Sequence, residues 1–142
     1  MATQEDAKAA VEAVVARLGL KTGQIIQEFG YDADADAPLR ASIEAATGES
    51  LVDEDFGDVT DGSLVWFRDG DDDLADLLMD AQTLLDDGAP VVVCVPKAGV
   101  PGHVQPRDVQ EAASLAGLNG TSTFVIGGTW TATHLVDKGR SK

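Results

Sequence analysis

The sequence is poor in several residue types, and each scarcity argues against a class of protein. A single cysteine, Cys94, excludes an internal disulfide bond, and with only two histidines in the chain it also argues against a zinc site. Cys94 lies in the apolar run 91–95, where we expect a buried and protonated thiol. No apolar run approaches the roughly 20 residues that cross a bilayer, and residues 1–10 lack the layout of a secretory signal. Together these absences predict a cytoplasmic protein without a membrane span.

Basic residues are also scarce, with 10 Lys and Arg against 25 Asp and Glu, which gives a net charge of −15. Residues 31–90 carry 18 of the acids and only two bases, whereas residues 91–142 carry three acids and five bases. Because such a field repels phosphate backbones, nucleic acid is disfavoured as a partner. A basic protein surface as partner and a purely solubilising role remain open. A role as an acidic mimic of nucleic acid is a further hypothesis, and it requires the carboxylates to share one convex face.

The hydrophobic pattern predicts strands that alternate with helices. Helices are predicted over residues 5–18, 38–46, 71–88 and 106–116, and strands over residues 24–29, 63–67, 90–95, 121–126 and 129–136. Residues 51–52 could begin a short edge strand. Gly127 and Gly128 separate the last two strands and predict a tight hairpin turn.

This order of elements predicts the fold class. Strands that alternate with helices imply right-handed crossovers and a mainly parallel sheet with helices on both faces. The closing hairpin adds an antiparallel strand. We therefore predict one three-layer α/β domain over residues 1–136, followed by a polar tail at residues 137–142.

The order of elements from residue 63 to residue 136 resembles the C-terminal half of a class I methyltransferase. In that fold a glycine-rich turn after the first strand lets the main chain approach the cofactor closely. Here only Glu28 and Gly30 match that turn, and Tyr31, Asp32 and Asp34 stand where small residues would be needed. The resemblance therefore predicts a truncated methyltransferase-like sheet without its cofactor.

Two runs of alternating aspartates have the first part of a calcium-loop pattern. They are Asp32, Asp34 and Asp36, and Asp69, Asp71 and Asp73. Neither run has glycine at the sixth position or glutamate at the twelfth, as an EF-hand loop requires. We interpret both as solvated acidic loops and predict no metal site.

The most distinctive segment is the predicted loop over residues 96–105. Ligands bind at the carboxyl ends of the strands in open α/β sheets, and this loop reaches that edge together with residues 29–37 and 68–72. It combines two prolines and two glycines with Lys97 and His103. His103 could act as an acid or a base near neutral pH, yet no sequence feature supplies a partner carboxylate or a nucleophile for it.

Several short segments resemble an uncharacterised family found mainly in actinobacteria, domain of unknown function 3052. They are EFGYD (28–32), LVDE (51–54), WFRDGD (66–71), PKAGVPGHV (96–104), AGL (116–118) and WTAT (130–133). The resemblance extends from about residue 17 to residue 136, and the Pro-Gly-His part is its most specific feature. It implies a cytoplasmic domain whose role is unassigned.

The leading functional hypothesis is a non-catalytic, methyltransferase-like domain that binds or regulates a protein partner, with a homodimer also considered. No catalytic residue is assigned. The candidate residues for a ligand or a partner are Glu28, Asp69, Lys97, Gly99, Gly102, His103 and Trp130. The alternative is a divergent enzyme, either a methyltransferase or one acting on a small acidic metabolite. It would use the loop over residues 96–104, and it predicts a pocket at the carboxyl edge lined by both Lys97 and His103.

Overall fold

The computed structural model describes residues 4–71 and 73–137, with side chains described from residue 9 onward. In chain order the elements are α1 (Gln4–Leu18), β1 (Ile26–Phe29), α2 (Ala37–Thr47), β2 (Gly62–Trp66), α3 (Leu74–Asp80), β3 (Val91–Pro96), α4 (Pro106–Leu115), β4 (Leu118–Ile126) and β5 (Trp130–Asp137). Asp137 therefore ends a strand instead of beginning the predicted polar tail. The rest of that tail lies outside the described residues.

The five strands form one sheet in the order β1-β2-β3-β5-β4. Strands β1, β2 and β3 are parallel, and β5 runs antiparallel to both of its neighbours, β3 and β4. Since β5 alone is reversed, the sheet is mainly parallel with a C-terminal antiparallel hairpin, as predicted. The hairpin turns on Gly127 and Gly128, whose φ angles of 61° and 70° suit glycine in a primed turn.

Helices cover both faces of the sheet, which confirms the three-layer prediction. Alternate residues of each strand point to opposite faces, so Leu64 and Trp66 of β2 join one core cluster and Val65 joins the other. The first cluster packs against apolar residues of α1 and α2, and the second against those of α3 and α4. Cys94 is completely buried in the first cluster, and this burial raises the pKa of its thiol.

Helix α3 is much shorter than the predicted helix over residues 71–88. It begins where the Asp73 side chain accepts the Asp76 N–H at 3.1 Å, but it ends at Asp80. The Gln82 amide then donates to the carbonyl of Leu78 and to that of Ala116, each at 3.0 Å. The prediction was wrong here because polar side chains capture the carbonyls at the end of the helix. The segment after Asp80 pairs with Thr60 instead of continuing the helix, since the Leu84 carbonyl accepts the Thr60 N–H at 2.9 Å.

Strand β4 begins three residues earlier than predicted, at Leu118 instead of residue 121. Its register against β5 shifts between Gly120 and Ser122, which is the signature of a β-bulge. As a result Leu118 faces one core cluster and Ile126 the other, although the two residues are eight positions apart and would share a face in a regular strand. The bulge interrupts the two-residue periodicity, and this interruption concealed the first part of the strand.

The outer edge of β1 is covered by the segment that was predicted as a doubtful strand at residues 51–52. Val52 forms a single parallel bridge with Gln27. Its N–H donates to the Ile26 carbonyl at 3.1 Å, and its carbonyl accepts the Glu28 N–H at 2.8 Å. This coverage protects one edge of the sheet.

Candidate functional site

The carboxyl edge of the sheet contains an acidic cleft between the loops that follow β1 and β2. Its volume is about 930 Å³, and its lining includes Gly30, Tyr31, Asp32, Glu54, Trp66, Phe67, Arg68, Gly70, Asp71, Asp73, Asp76, Leu77 and Asp80. Six of these residues are acids and only Arg68 is a base. The cleft therefore favours a cationic ligand or partner over a phosphate.

Glu28 lies at the base of this edge as a buried acid, only 6% exposed. Its carboxylate accepts two hydrogen bonds from the Arg40 guanidinium, at 2.7 Å and 2.8 Å, and one from the Trp66 indole at 2.8 Å. The same carboxylate raises the pKa of Arg40. The Arg40 guanidinium also stacks over the Tyr31 ring at 4.3 Å. Glu28 thus ties β1 to α2 and to β2, which is a structural role for this predicted site residue.

The neighbouring strand β2 leaves no room for a side chain at Gly30. A Cβ atom at this position would lie 2.1 Å from the carbonyl oxygen of Trp66, and its φ angle is 71°. The Gly30 N–H donates to the Glu54 carboxylate at 3.0 Å, and its carbonyl accepts from the Arg68 guanidinium at 2.8 Å. Both polar groups of its main chain are therefore engaged by side chains of the same protein.

Arg68 crosses the edge of the sheet and joins the two loops. Besides the Gly30 carbonyl, its guanidinium binds both carboxylate oxygens of Asp34 and lies 5.3 Å from the centre of the Trp130 ring. The hydrogen bonds from Arg68 lower the pKa of Asp34, and Asp34 in turn raises the pKa of Arg68. This arrangement places a protein cation directly beside Gly30, where a nucleotide cofactor would need an open main chain.

Trp130 supports this arrangement from inside the core. It is 1% exposed, and its ring packs edge-on against Trp66 with centroids 4.9 Å apart. Its indole N–H donates to the Asp34 carbonyl at 3.1 Å. Trp66 is completely buried as well, so a partner cannot contact either ring directly.

The loop over residues 97–105 lies beside this cleft and is held by two turns of its own and by the Lys97 N–H, which donates to the Thr129 carbonyl at 2.9 Å. The Val100 N–H donates to the Lys97 carbonyl at 3.0 Å, and the His103 N–H donates to the Val100 carbonyl at 3.1 Å. The His103 ring also donates from Nδ1 to the Pro96 carbonyl at 2.9 Å, because a carbonyl can only accept. This bond leaves Nε2 as the acceptor nitrogen of the neutral imidazole.

The remaining predicted residues lie around this loop. Gly102 packs against the stem of Arg68, since a Cβ atom there would lie 3.2 Å from the Arg68 Cβ. Its carbonyl accepts the Asp69 N–H at 2.8 Å, while the Asp69 side chain is exposed. Gly99 is also exposed and has a φ angle of 87°. Lys97 and His103 are partly buried, and neither belongs to the lining of the 930 Å³ cleft.

The acidic residues do not all share one convex face, which argues against the hypothesis of a nucleic-acid mimic. Six of them line the concave cleft at the carboxyl edge. At the amino ends of β1 and β2, the Asp61 carboxylate accepts the Ile25 N–H at 2.8 Å. Among the described residues, no group of three or more His, Cys, Asp and Glu side chains is placed to hold a metal ion.

Sequence reasoning assigned no role to Arg68 and Arg40, which organise this site together with Asp34. A compositional signal was available, because Arg40 and Arg68 are the two bases among the 18 acids of residues 31–90. An arginine in a segment rich in acids is expected to form an ion pair with one of those acids. Which acids it binds could not be inferred, since Arg68 and Asp34 are 34 residues apart in the chain.

The fold is that of methyltransferases. The chain aligns with the mitomycin 7-O-methyltransferase at a TM-score of 0.63 and 13% identity, covering 92% of this chain but 54% of that one. A SAM-dependent methyltransferase from Aquifex aeolicus gives a TM-score of 0.62 at 12% identity, with 89% and 88% of the two chains covered. The pyocyanin biosynthetic protein PhzM gives 0.66 at 12% identity, with 94% and 56% covered. The chain thus spans only about half the length of two of these three proteins.

Sequence similarity then identifies the family. Residues 15–139 match the family described as a protein of unknown function, DUF3052. An uncharacterised protein of Mycobacterium tuberculosis (strain ATCC 25618 / H37Rv) and one of Mycobacterium bovis are each 48% identical over 120 residues, or 84% of this chain and 75% of theirs. The chain belongs to the DUF3052 family. None of the helices described here is long and apolar enough to span a membrane.

Proposed function

We propose that this chain is a non-catalytic, methyltransferase-like domain that binds a protein partner through the acidic cleft at its carboxyl edge. The observation that carries this proposal is the engagement of Gly30 by Glu54, Arg68 and the Trp66 carbonyl. A methyltransferase of this fold implies S-adenosylmethionine, and these residues do not fit that cofactor. The position that would need open main chain is occupied by the protein's own side chains.

The charge of the cleft supports a basic partner. Six carboxylates and one arginine, itself paired with Asp34, line a concavity of about 930 Å³. Arginine and lysine side chains of a partner would gain from this field, and complementary charge raises the rate of association. A chain whose cysteine is buried and unpaired also needs no oxidising compartment, so we place this interaction in the cytoplasm.

Titration calorimetry with S-adenosylmethionine and S-adenosylhomocysteine tests the loss of cofactor binding. We expect no saturable heat up to about 1 mM ligand, which corresponds to less than about 4 kcal/mol of binding free energy. An active methyltransferase measured in the same buffer serves as the positive control. Binding with a micromolar dissociation constant would overturn the proposal.

Site-specific photo-crosslinking in actinobacterial cells tests the partner surface. A photoreactive residue at Tyr31, which is 56% exposed on the cleft, should capture a discrete basic protein. The same residue at Val59, which is 60% exposed and outside the cleft lining, is the matched control. The substitution Asp80→Lys should weaken capture and Asp58→Lys should not. Equal capture at both positions, or indifference to Asp80→Lys, would contradict a partner site in the cleft.

A second candidate is a divergent enzyme that acts at the same edge of the sheet. The volume of the cleft is compatible with a small ligand. The candidate is weaker because Lys97 and His103 lie outside the cleft lining, and the His103 Nδ1 is engaged by the Pro96 carbonyl. A screen of small cationic and acidic metabolites by thermal shift, followed by His103→Ala, tests it. A ligand whose stabilisation disappears in that variant would favour the enzyme.

A further inference from the structure

The two edges of the sheet differ in how they are protected. The β1 edge is covered by the bridge to Val52. Strand β4 forms the other end of the sheet, and within residues 4–71 and 73–137 no main-chain segment pairs with its outer side. A long exposed edge strand is a template for pairing with another strand.

The open strand also lacks the features that usually protect an edge. Residues 118–126 read LNGTSTFVI, with no charged residue and no proline, in a chain that is 25% charged. The bulge before Ser122 disturbs the first part of the strand, whereas residues 122–126 pair regularly with β5. Val125 in this regular part is 52% exposed. The segment over residues 122–126 is therefore the part available for pairing.

We propose that this edge is a dimer interface, at which β4 pairs antiparallel with β4 of a second copy to give a continuous ten-stranded sheet. The Ile126 carbonyl accepts the Thr129 N–H across the hairpin, so it faces β5. Main-chain groups alternate sides along a strand, so those of Thr123 and Val125 face outward. A two-fold axis at Phe124 would let Thr123 and Val125 exchange both hydrogen bonds with each other across the interface.

The same axis makes the side-chain contacts self-complementary. Phe124 would face its own counterpart, and Thr123 would face Val125. Cross-strand aromatic pairs of this kind are favourable. No like charges would oppose each other along the paired strands, because β4 has none.

The distribution of charge favours a second copy as the occupant, because β4 itself carries no charge. Each copy carries a net charge of −15, so two copies meet the least repulsion at an edge far from the acids of residues 31–90. Asp137 of β5 lies opposite Leu118, at the end of β4 away from residues 122–126. Strands β3 and β5 lie between β4 and β2 in the sheet. At the usual strand spacing, β4 and β2 are therefore about 14 Å apart. This exceeds the screening length of about 8 Å at physiological ionic strength. Within residues 31–90, Asp36 approaches the hairpin at Gly127, and its carboxylate caps α2.

Sedimentation velocity over a range from about 1 µM to about 1 mM protein tests the proposal. The mass should rise from that of the 14.8 kDa monomer toward twice that value as the concentration increases. Val125→Pro removes an outward N–H without disturbing the pairing with β5, and it should remain monomeric. Val125→Lys should do the same, because pairing would remove an unpaired ammonium group from water, and Val125→Thr is the matched control that should still dimerise. Unchanged circular dichroism shows that a monomeric variant is folded.

Hydrogen exchange supplies a second readout that needs no variant. The amide protons of Thr123 and Val125 should become more protected as the concentration of the wild-type protein rises. Protection of the Val59 amide, which lies outside the proposed interface, should not change. A wild-type protein that is monomeric throughout, or a dimer that persists in both Val125→Pro and Val125→Lys, would overturn the proposal. This interface is independent of the acidic cleft, so the cleft variant Asp80→Lys should not change the mass.

Discussion

Two loops at the carboxyl edge of the sheet, residues 30–36 and residues 97–105, are held in opposite ways. The first is fixed by distant side chains, because Arg68, Glu54 and Trp130 bind its main chain. The second is fixed by two turns of its own and by two main-chain bonds to other segments, from the Lys97 N–H to the Thr129 carbonyl and from the Asp69 N–H to the Gly102 carbonyl. The comparison shows that the loop with the more recognisable sequence depends less on side chains from distant parts of the chain. The cleft belongs to the other loop.

The sharpest test of this difference compares alanine at one glycine of each loop. In Gly30→Ala the new Cβ would lie 2.1 Å from the Trp66 carbonyl, in addition to the cost of the positive φ. We expect a loss of about 3–5 kcal/mol in the free energy of unfolding. Gly99→Ala has a φ of 87° but nothing within 4 Å of its Cβ, so we expect a loss of about 1 kcal/mol.

Urea unfolding followed by circular dichroism measures both losses. Equal losses in the two variants would mean that the Trp66 carbonyl does not constrain Gly30. The first loop would then be as independent of the rest of the fold as the second, and the comparison would fail.

The substitution Glu28→Gln tests the buried acid beneath the first loop. It leaves Arg40 without its counter-charge and weakens the hydrogen bond from the Trp66 indole. We expect a loss of about 2 kcal/mol, moderated because Arg40 is 28% exposed and can turn toward water. Glu49→Gln, at an exposed acid, should change stability by less than about 0.5 kcal/mol. A loss in Glu28→Gln no larger than in this control would show that Glu28 does not brace the loop.

The smallest expected effect concerns the ion pair that joins the two sides of the cleft. The pKa of Asp34 is lowered in the folded protein by hydrogen bonds from Arg68, so the stabilisation is present above the unfolded pKa of about 3.9. It is lost as the pH falls through the lower folded pKa. Because the Asp34 side chain is 55% exposed, we expect at most about 1 kcal/mol.

Unfolding of wild type and Asp34→Asn between pH 7 and pH 3 measures this contribution. The two proteins should differ at neutral pH and converge in acid, and the difference at neutral pH should shrink in high salt. Asp58→Asn is the control and should follow wild type throughout. A difference that stayed constant with pH would show that the charge of Asp34 is not involved.

The parts of the fold that could be predicted from the sequence are those set by local sequence patterns. The first three strands begin at residues 26, 62 and 91, against predicted starts at 24, 63 and 90, because their apolar runs fit only a buried strand. Helix α2 begins at a capping Asp36 and ends before Gly48, whose φ is 75°. The end of α3 was not predictable in this way, because it depends on a bond from Gln82 to the Ala116 carbonyl across the fold.

The candidate site was predictable only in its location. The rule that ligands meet the carboxyl ends of strands pointed to the correct edge of the sheet. The rule could not choose among the loops there, and the composition of the loop over residues 96–105 favoured Lys97 and His103 over Arg68. A distinctive local sequence drew attention to one loop, whereas the cleft was assembled by contacts between two others.

By itself the sequence determined the order of helices and strands, the hairpin on Gly127 and Gly128, and the acidity of the middle of the chain. These properties depend on neighbours within a few residues, or simply on composition. Tertiary structure alone decided that Arg68 would lie against Gly30, that Glu28 would be buried between Arg40 and Trp66, and that β4 would form one end of the sheet. Each of these joins or exposes groups far apart in the chain, and their contact energies exist only once the sheet has formed.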